Sequence, residues 1–308
     1  MSGYLEELTL RLARDIAGLP EETRARHASY LKSSQQPDGG FAGREGASDL
    51  YYTAFALRGM AMLGELYGEA SAAAARFVDS RLERLESVID LVSAIYSIVL
   101  LDMSAGIDVL GGRPGCREAM IESLESLRRA DGGYAKTPLG KASSTYHTFL
   151  VVLGLQLLQS PLRDPDRIVG FVRSQRLEGG AFREIRVAQR GGANPTAAAI
   201  GILRILDALD ESQRAETVSF LASMQTGEGG LRANTRIPLA DLLSTFTGML
   251  TLVDVGAASS LRRPLLLRFV ESCERREGGF RGALWDDGHD VEYTFYGLGS
   301  LALLNAAD

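Results

Sequence analysis

The sequence predicts an all-α fold, a single-domain α/α toroid in which six helical hairpins form an inner and an outer ring. Three observations indicate it: glycine pairs recur along the chain, a D-x-x-x-T pattern follows them, and the helices on either side differ in polarity. The steps from Thr148 to Thr196, Thr245 and Thr294 are 48, 49 and 49 residues, a regularity typical of a repeat protein. The pairs stand at residues 39–40, 132–133, 179–180, 229–230 and 278–279.

The D-x-x-x-T pattern marks the start of the second helix of a repeat. Asp or Ser ahead of an apolar run is typical of a helix N-cap. The glycine pair predicts the C-cap of the first helix, because glycine adopts the left-handed conformation at the least cost. The pattern is complete at residues 49–53, 241–245 and 290–294, lacks its aspartate at 144–148 and 192–196, and lacks its threonine at 90–94.

The two helices of a repeat differ in where their apolar residues lie. Ile168, Phe171 and Val172 make one face of a first helix, which is the pattern of an amphipathic helix. Residues 148–158 and 196–206 are apolar almost all round, which predicts helices buried on every side. The second helices therefore form the inner ring, run parallel, and open their N-terminal tips at one mouth. The helical period and the short β-branched clusters predict no strands.

Composition limits the class of protein. With 45% hydrophobic and 23% charged residues the chain has a globular composition, and its net charge of -6 argues against a nucleic-acid partner. No membrane span is expected, because no apolar run approaches roughly 20 residues. Residues 1–19 predict an amphipathic helix that packs on the toroid, and the repeats follow over about 20–305, so that residues 1–308 form one domain. Two isolated cysteines and acidic residues near the N-terminus predict a cytoplasmic location.

The repeat junctions resemble those of a known superfamily. Residues 36–41 read QPDGGF and residues 175–180 read QRLEGG. With the D-x-x-x-T helices, they look like the α/α toroids of protein prenyltransferase β subunits and of squalene and terpene cyclases, over essentially residues 20–305. In size and layout the chain is most similar to the prenyltransferase β subunit. The resemblance implies an isoprenoid ligand such as a prenyl diphosphate, a transferase activity and a helical partner subunit.

The resemblance also implies a metal site, which this sequence does not retain. In that family zinc is held by an Asp and a Cys of the penultimate repeat and by a His of the last. Asp241 matches the aspartate, whereas Leu243 stands at the cysteine and Tyr293 at the histidine. Leucine cannot bind zinc, so no metal cofactor is expected. For Mg²⁺ that accompanies a diphosphate, the sequence leaves two alternatives. Asp286 and Asp287 either form an acidic pair that holds the ion or belong to a solvated loop.

Basic residues in two loops are candidate contacts for a diphosphate. The family's diphosphate-binding His and Lys fall on Gly192 and Pro238. His147 occupies the position in its own repeat that the zinc-binding His of the family occupies in the last repeat. The preferred interpretation of His147 is a polar residue at a helix tip, facing the cavity mouth. The remaining arginines of these loops are Arg186, Arg190, Arg232 and Arg236.

Residues 290–294 are also similar to the D-x-D-D-T motif of class II terpene cyclases, with Glu292 where that family has its proton donor. Such an acid needs a raised pKa. The alternative to a catalytic acid is that Glu292 is a solvated charge at the end of the loop. Asp290 and Asp241 either belong to a site or act as helix N-caps. Trp285 either stacks on an isoprenoid or anchors its loop.

Aromatic residues gather at the same position of several repeats, which favours an apolar ligand, with core packing as the alternative. Three functions stay open: an isoprenoid-binding protein or transferase, a cyclase-like enzyme with Glu292 as acid, and a non-enzymatic interaction scaffold. The aromatic residues are Tyr51, Tyr52, Tyr146, Phe149, Tyr293, Phe295 and Tyr296.

Overall fold

The computed structural model describes residues 3–306, and within that range nearly all regular structure is helical. The first two residues of the predicted N-terminal helix and the last two of the predicted domain lie outside the described residues. The helices are α1 (Tyr4–Ile16), α2 (Glu21–Ser33), α3 (Leu50–Met62), α4 (Gly68–Arg81), α5 (Val88–Ala105), α6 (Cys116–Ser126), α7 (Thr145–Leu157), α8 (Pro165–Ser174), α9 (Ala193–Ile205), α10 (Glu211–Ser223), α11 (Leu242–Asp254) and α12 (Arg263–Cys273), followed by α13 (Val291–Asn305). A 3-10 turn (Ala258–Ser260) precedes α12, and strands β1 (Phe280–Ala283) and β2 (Asp286–Asp290) precede α13.

After α1, the helices alternate in polarity as the sequence predicts. The even-numbered helices α2 to α12 carry polar faces, and the odd-numbered helices α3 to α13 are mostly buried. Leu57 of α3, Leu203 of α9 and Leu298 of α13 are fully buried. The described residues therefore contain six helical hairpins, each made of one amphipathic and one apolar helix.

The chain divides into two compact units. Unit 1 consists of Met1–Leu124, Leu153–Ser160 and Cys273–Asp308, and unit 2 of Glu125–Val152 and Pro161–Ser272. In unit 1, α3 packs against α5 and α13, and α1 packs on α3 and α13. In unit 2, α9 packs against α8 and α11. Each unit thus has its own apolar helices at its centre.

The threonine of the D-x-x-x-T pattern ties each inner helix to the turn before it. Five threonine hydroxyls accept a hydrogen bond from the backbone N–H of a buried residue that follows the glycines, over 2.9 to 3.3 Å. All five threonines are fully buried. The pairs are Phe41 with Thr53, Tyr134 with Thr148, Phe182 with Thr196, Leu231 with Thr245, and Phe280 with Thr294.

The prediction that the glycine pairs cap the outer helices is wrong. Helix α10 ends at Ser223 and its C-cap is Met224, whereas Gly229 follows five residues later with a φ of 107°. A Cβ at Gly229 would clash with the backbone carbonyl of Leu265 in α12. Glycine stands here because the turn needs a positive φ and because the next outer helix approaches it closely.

Two further corrections concern the repeat pattern. In the third glycine pair, Gly180 rather than Gly179 abuts the next outer helix, at Glu216, and the residue of that turn whose N–H bonds to the repeat threonine is Phe182. In the incomplete copy, the N-cap of α5 is Ser87, whose hydroxyl accepts from the N–H of Asp90. The repeat there begins three residues earlier than its aspartate indicates.

The expectation of no strands is also wrong for the last repeat. Strands β1 and β2 pair as an antiparallel hairpin, with Phe280 opposite Asp290 and Arg281 opposite His289. In the other repeats, the buried residue after the glycines forms isolated bridges in place of a hairpin. The fold class is unchanged, since four and five residues make up these strands.

Helix α5 is, within residues 3–306, the one helix whose length and composition would let it cross a bilayer. It has 18 residues and a mean hydropathy of 1.8, and 50% of it is buried within the protein. Its packing partners include α3 and α4. Such burial is what the core helix of a globular protein shows, so this helix is weak evidence for a membrane span.

Candidate functional site

The aspartates of the D-x-x-x-T pattern make the contacts of N-caps. Asp241 accepts a hydrogen bond from the N–H of Ser244 at 2.7 Å and another from its hydroxyl at 2.9 Å. Asp290 accepts from the N–H of Tyr293 at 2.9 Å, and Arg44 Nε lies 3.3 Å from its second oxygen. Burial raises the pKa of both carboxyls, and these hydrogen bonds oppose the shift. The N-cap interpretation therefore accounts for the contacts of Asp241 and Asp290.

Glu292 stands in the first turn of α13 and is partly buried. The hydroxyl of Tyr51, from α3, donates a hydrogen bond of 2.6 Å to its Oε1. Burial raises the pKa of Glu292 above its ordinary value, while the bond from Tyr51 opposes the rise. The structure thus does not leave Glu292 as the solvated charge that was the alternative interpretation.

Six aromatic rings from α3 and α13 contact one another, and one of them, Tyr51, bonds to Glu292; we call the six rings the aromatic cluster. The ring centroids of Phe55 lie 4.9 Å from Tyr51, 5.5 Å from Phe295 and 5.3 Å from Tyr296. Tilted and edge-to-face contacts at such distances are favourable for aromatic pairs. The members of the cluster are Tyr51, Tyr52, Phe55, Tyr293, Phe295 and Tyr296.

The cluster has an exposed rim and a buried floor. Tyr51, Tyr52 and Tyr293 are partly exposed, whereas Phe55 and Phe295 are buried. Sequence reasoning selected Tyr51, Tyr52, Tyr293, Phe295 and Tyr296, and the structure brings them together. It did not select Phe55, although a position four residues after Tyr51 lies on the same helix face.

Arg58 is a second residue that sequence reasoning did not select. It is the one charged residue in α3, seven positions after Tyr51, and that isolation was the available signal. Its guanidinium carbon lies 3.8 Å from the ring centroid of Phe295, 4.9 Å from that of Phe55 and 5.1 Å from that of Tyr96. A cation thus lies against the aromatic cluster, on the same face of α3 as Tyr51 and Phe55.

Trp285 lies at the turn of the β1–β2 hairpin and is 66% exposed, so the hairpin does not bury it. The two aspartates that follow it form ion pairs with arginines. Asp286 pairs with Arg44 at 2.8 Å, which lowers the pKa of that carboxyl, and Asp287 pairs with Arg281 at 3.1 Å. These ion pairs fit a hairpin stabilised by charge better than a bare magnesium site.

The other predicted site residues lie in unit 2. Arg186, Arg190 and Arg236 are exposed loop residues, and Arg232 is partly buried. His147 is partly buried in the first turn of α7, where burial lowers the pKa of its imidazole, and its Nδ1 has no hydrogen-bond partner. The aromatic cluster belongs to unit 1, so the predicted site residues are divided between the two units.

The residues at the family's zinc positions do not fit zinc. Both oxygens of Asp241 accept hydrogen bonds from Ser244. Leu243 offers no atom that could bind zinc. The ring of Tyr293 packs against that of Tyr296, and the guanidinium of Arg44 lies over it at 5.3 Å. Zinc in proteins takes Cys, His or carboxylate ligands, usually four in all. Within residues 3–306 no group of three or more such side chains could hold a metal ion.

Comparison with known proteins places this fold. The family model described as the prenyltransferase alpha-alpha toroid domain matches residues 21–98, 123–166 and 149–308, and the chain belongs to this family. The predicted α/α toroid and the resemblance on which it rests are thereby confirmed.

Individual proteins agree with this assignment. Protein farnesyltransferase subunit beta of Pisum sativum is 28% identical over 219 residues, which are 68% of this chain and 48% of that protein. The chain therefore spans about half the length of this curated relative. Protein geranylgeranyltransferase-I of Candida albicans, solved in complex with GGPP, aligns with a TM-score of 0.68 at 13% identity, over 99% of this chain and 92% of that one.

A terpene cyclase has a similar fold. A variant of the type II terpene cyclase MstE from Scytonema, in complex with its substrate geranylgeranyl dihydroxybenzoate, aligns with a TM-score of 0.62 at 14% identity, over 98% of both chains. At such identities these structures show a shared fold, and the chemistry has to be argued from the residues of this chain.

Proposed function

We propose that this chain binds an isoprenoid, such as a prenyl diphosphate, at the aromatic cluster of unit 1. The observation that carries the proposal is a cluster of six aromatic rings, one of which bonds to the partly buried carboxyl group of Glu292, in the N-terminal halves of α3 and α13. Aromatic side chains supply a large apolar contact area with few rotatable bonds. The names of similar proteins support the same ligand class, since they include a farnesyltransferase subunit and a structure in complex with GGPP.

Titration with farnesyl and geranylgeranyl diphosphate, with and without Mg²⁺, tests this proposal. Binding should raise the melting temperature, because a ligand that binds only the folded state stabilises it. Trp285 is the only tryptophan, so its fluorescence offers a second readout. Tyr52→Ala should weaken binding about tenfold or more, and Tyr67→Ala, an exposed tyrosine outside the cluster, should not. No stabilisation by any prenyl diphosphate would favour the interaction scaffold.

A second candidate function is protonation of an alkene by Glu292, as in class II terpene cyclases. The specific observation is the environment of Glu292, where burial raises its pKa and Tyr51 occupies Oε1. Oε2 would then carry the proton to an alkene carbon, whose π electrons form the new C–H bond. The resulting carbocation would lie against the aromatic rings, and the carboxylate would keep the bond from Tyr51.

Glu292→Gln separates binding from this chemistry. Glutamine keeps the shape of the side chain and loses the acidic proton. A cyclase should lose turnover by at least about a hundredfold and keep its affinity for the isoprenoid. Glu69→Gln, an exposed carboxyl of unit 1, is the matched control. Unchanged turnover in the Glu292 variant would exclude this role.

Transfer of a prenyl group to a cysteine thiolate has less support, because the residues at the zinc positions do not fit zinc. A partner subunit is part of the proposal, since the curated relative is itself named as a subunit. Size-exclusion chromatography with light scattering, on protein purified from its own cells, tests it. A mass near 33.2 kDa for all of the purified protein would argue against a stable partner.

A further inference from the structure

Arg58 is a cation that no anion of the described protein neutralises at close range. Its guanidinium lies over three aromatic rings, from α3, α5 and α13. Among residues 3–306 no carboxylate forms an ion pair with it, and its Nε–H is buried without a hydrogen-bond partner. Burial raises the pKa of Glu292, and the positive charge of Arg58 opposes that rise.

Such an arrangement is costly for the folded protein. Arg58 is partly buried, and its buried Nε–H has no acceptor, which is unfavourable for the folded state. The contact with Phe295 at 3.8 Å offsets part of that cost through the cation–π attraction. It leaves the Nε–H at the edge of the guanidinium plane as an unused donor. An incoming acceptor would therefore gain a hydrogen bond that the protein does not form by itself.

The position of Arg58 limits which ligand group can reach it. Tyr51, Phe55 and Arg58 follow one face of α3, and seven residues of helix span about 10 Å. A group bound at Arg58 thus lies about two helical turns below the partly exposed rim of the aromatic cluster. A diphosphate is strongly hydrated, and burying its charges at that depth is costly. A carboxylate carries one charge and matches the planar fork of arginine in a bidentate manner.

We propose that Arg58 is a binding residue for a carboxylate carried by the isoprenoid ligand, so that the chain accepts an isoprenoid acid with its acidic end toward the floor of the aromatic cluster. This inference rests on the proposed isoprenoid binding and adds the chemical class of the ligand. Glu292 faces the same region from α13. Its Oε1 accepts the hydroxyl of Tyr51, so it forms its close hydrogen bond with that tyrosine and not with Arg58.

Farnesoic acid and its methyl ester test the inference, because they share one chain and differ in the charged group. Calorimetric titration of the wild-type protein should show that the acid binds at least tenfold more tightly than the ester. Arg58→Met should reduce that ratio to threefold or less. Arg76→Met removes an exposed arginine of unit 1 and should keep the wild-type ratio.

The outcomes separate this inference from the proposed function. If the ester and the prenyl diphosphates bind to the wild-type protein but the acid binds no better than the ester, the role of Arg58 is wrong and isoprenoid binding stands. If the Arg58→Met protein keeps the preference for the acid, the carboxylate binds elsewhere and the inference is again wrong. If no isoprenoid binds, both proposals fail. The wild-type comparison decides the matter even where the Arg58 variant does not fold.

Discussion

Thr245 shows at the scale of one residue how a repeat junction is stabilised. Its hydroxyl accepts the backbone N–H of Leu231 at 2.9 Å. Both residues are fully buried, so water cannot replace the acceptor. Since buried backbone N–H groups are almost always paired, the threonine is required by the turn and not by a ligand.

Thr245→Val keeps the shape of the side chain and leaves the N–H of Leu231 without an acceptor. We expect the free energy of unfolding to fall by about 1–3 kcal/mol, the cost of an unsatisfied buried donor. Denaturant titration measures it. Thr251→Val is the matched control in the same helix, because the Thr251 hydroxyl donates only to the Thr247 carbonyl, and it should cost about 0.5 kcal/mol or less. Equal losses for the two variants would contradict this account.

Glu274 supports a second prediction, on pH. Its Oε1 accepts hydrogen bonds from Arg26 and, at 3.1 Å, from Nε2 of the buried His27, whose Nδ1 accepts the N–H of Gly279. The bond from His27 is the main cause that lowers the pKa of Glu274 below its ordinary value of 4.5. A carboxyl whose pKa is lower in the folded state stabilises the protein above the unfolded pKa, and this stabilisation is lost as the pH falls.

We therefore expect Glu274→Gln to lower the free energy of unfolding by about 2 kcal/mol at pH 7. The difference from the wild type should shrink as the pH falls below about 4.5, where the wild-type carboxyl takes up its proton. Urea titrations between pH 7 and pH 3 measure both effects. Glu277→Gln, an exposed carboxyl three residues away, should show neither. A difference that stays constant with pH would contradict the linkage.

At the scale of secondary-structure elements, the glycine turns decide how closely one outer helix approaches the preceding repeat. Gly229 and Gly278 both have a positive φ, and each abuts the backbone of the outer helix beside it, at Leu265 and at Arg26. A side chain at either position would push two elements apart. The spacing of neighbouring hairpins therefore depends on residues without a Cβ.

Gly229→Ala should cost about 3 kcal/mol or more, because it combines a strained φ with a clash against backbone that cannot move aside. Two controls separate these causes. Gly46→Ala has a positive φ of 94° in open space and should cost about 1–2 kcal/mol. Gly227→Ala has open space and no positive φ, and its effect should stay within about 0.5 kcal/mol. Thermal unfolding of the three variants gives the order, and similar losses for all three would contradict the role of the close approach.

At the scale of the whole molecule, the two compact units raise the question of whether the chain unfolds in one cooperative transition or in two. The sequence predicts one domain over residues 1–308, and the contacts divide the chain into two units. Helices α6 and α7 each continue across a boundary between the units, at Leu124 and at Val152, so no flexible linker lies there. Domain boundaries normally fall in exposed linkers.

We accordingly expect a single unfolding transition for the full chain. The calorimetric and van't Hoff enthalpies should agree, as they do for two-state unfolding. Two resolved transitions, or a stable fragment after limited proteolysis near residues 152 or 160, would show instead that the units unfold independently. The same calorimetry on Thr245→Val adds a check, because a destabilised unit 2 that unfolds alone would broaden or split the transition.

The sequence predicted more of the fold than of the candidate site. Repeat spacing and helix polarity are periodic signals, so the six hairpins could be derived from them. The glycines were assigned to helix ends because a C-cap and a tight turn both favour the left-handed conformation, and the sequence does not distinguish them. The hairpin before α13 was missed because its strands are short and carry no alternation of apolar residues.

What the sequence by itself determined is local or periodic: the two kinds of helix, the N-cap aspartates and the residue types at the helix tips. Only the tertiary structure decided which of these residues meet. Tyr51 and Glu292 are 241 residues apart in the chain and 2.6 Å apart in space. The burial that raises the pKa of Glu292 and the three aromatic rings against Arg58 come from the packing of α3, α5 and α13. Such properties depend on contacts between distant segments, and no local pattern of residues specifies them.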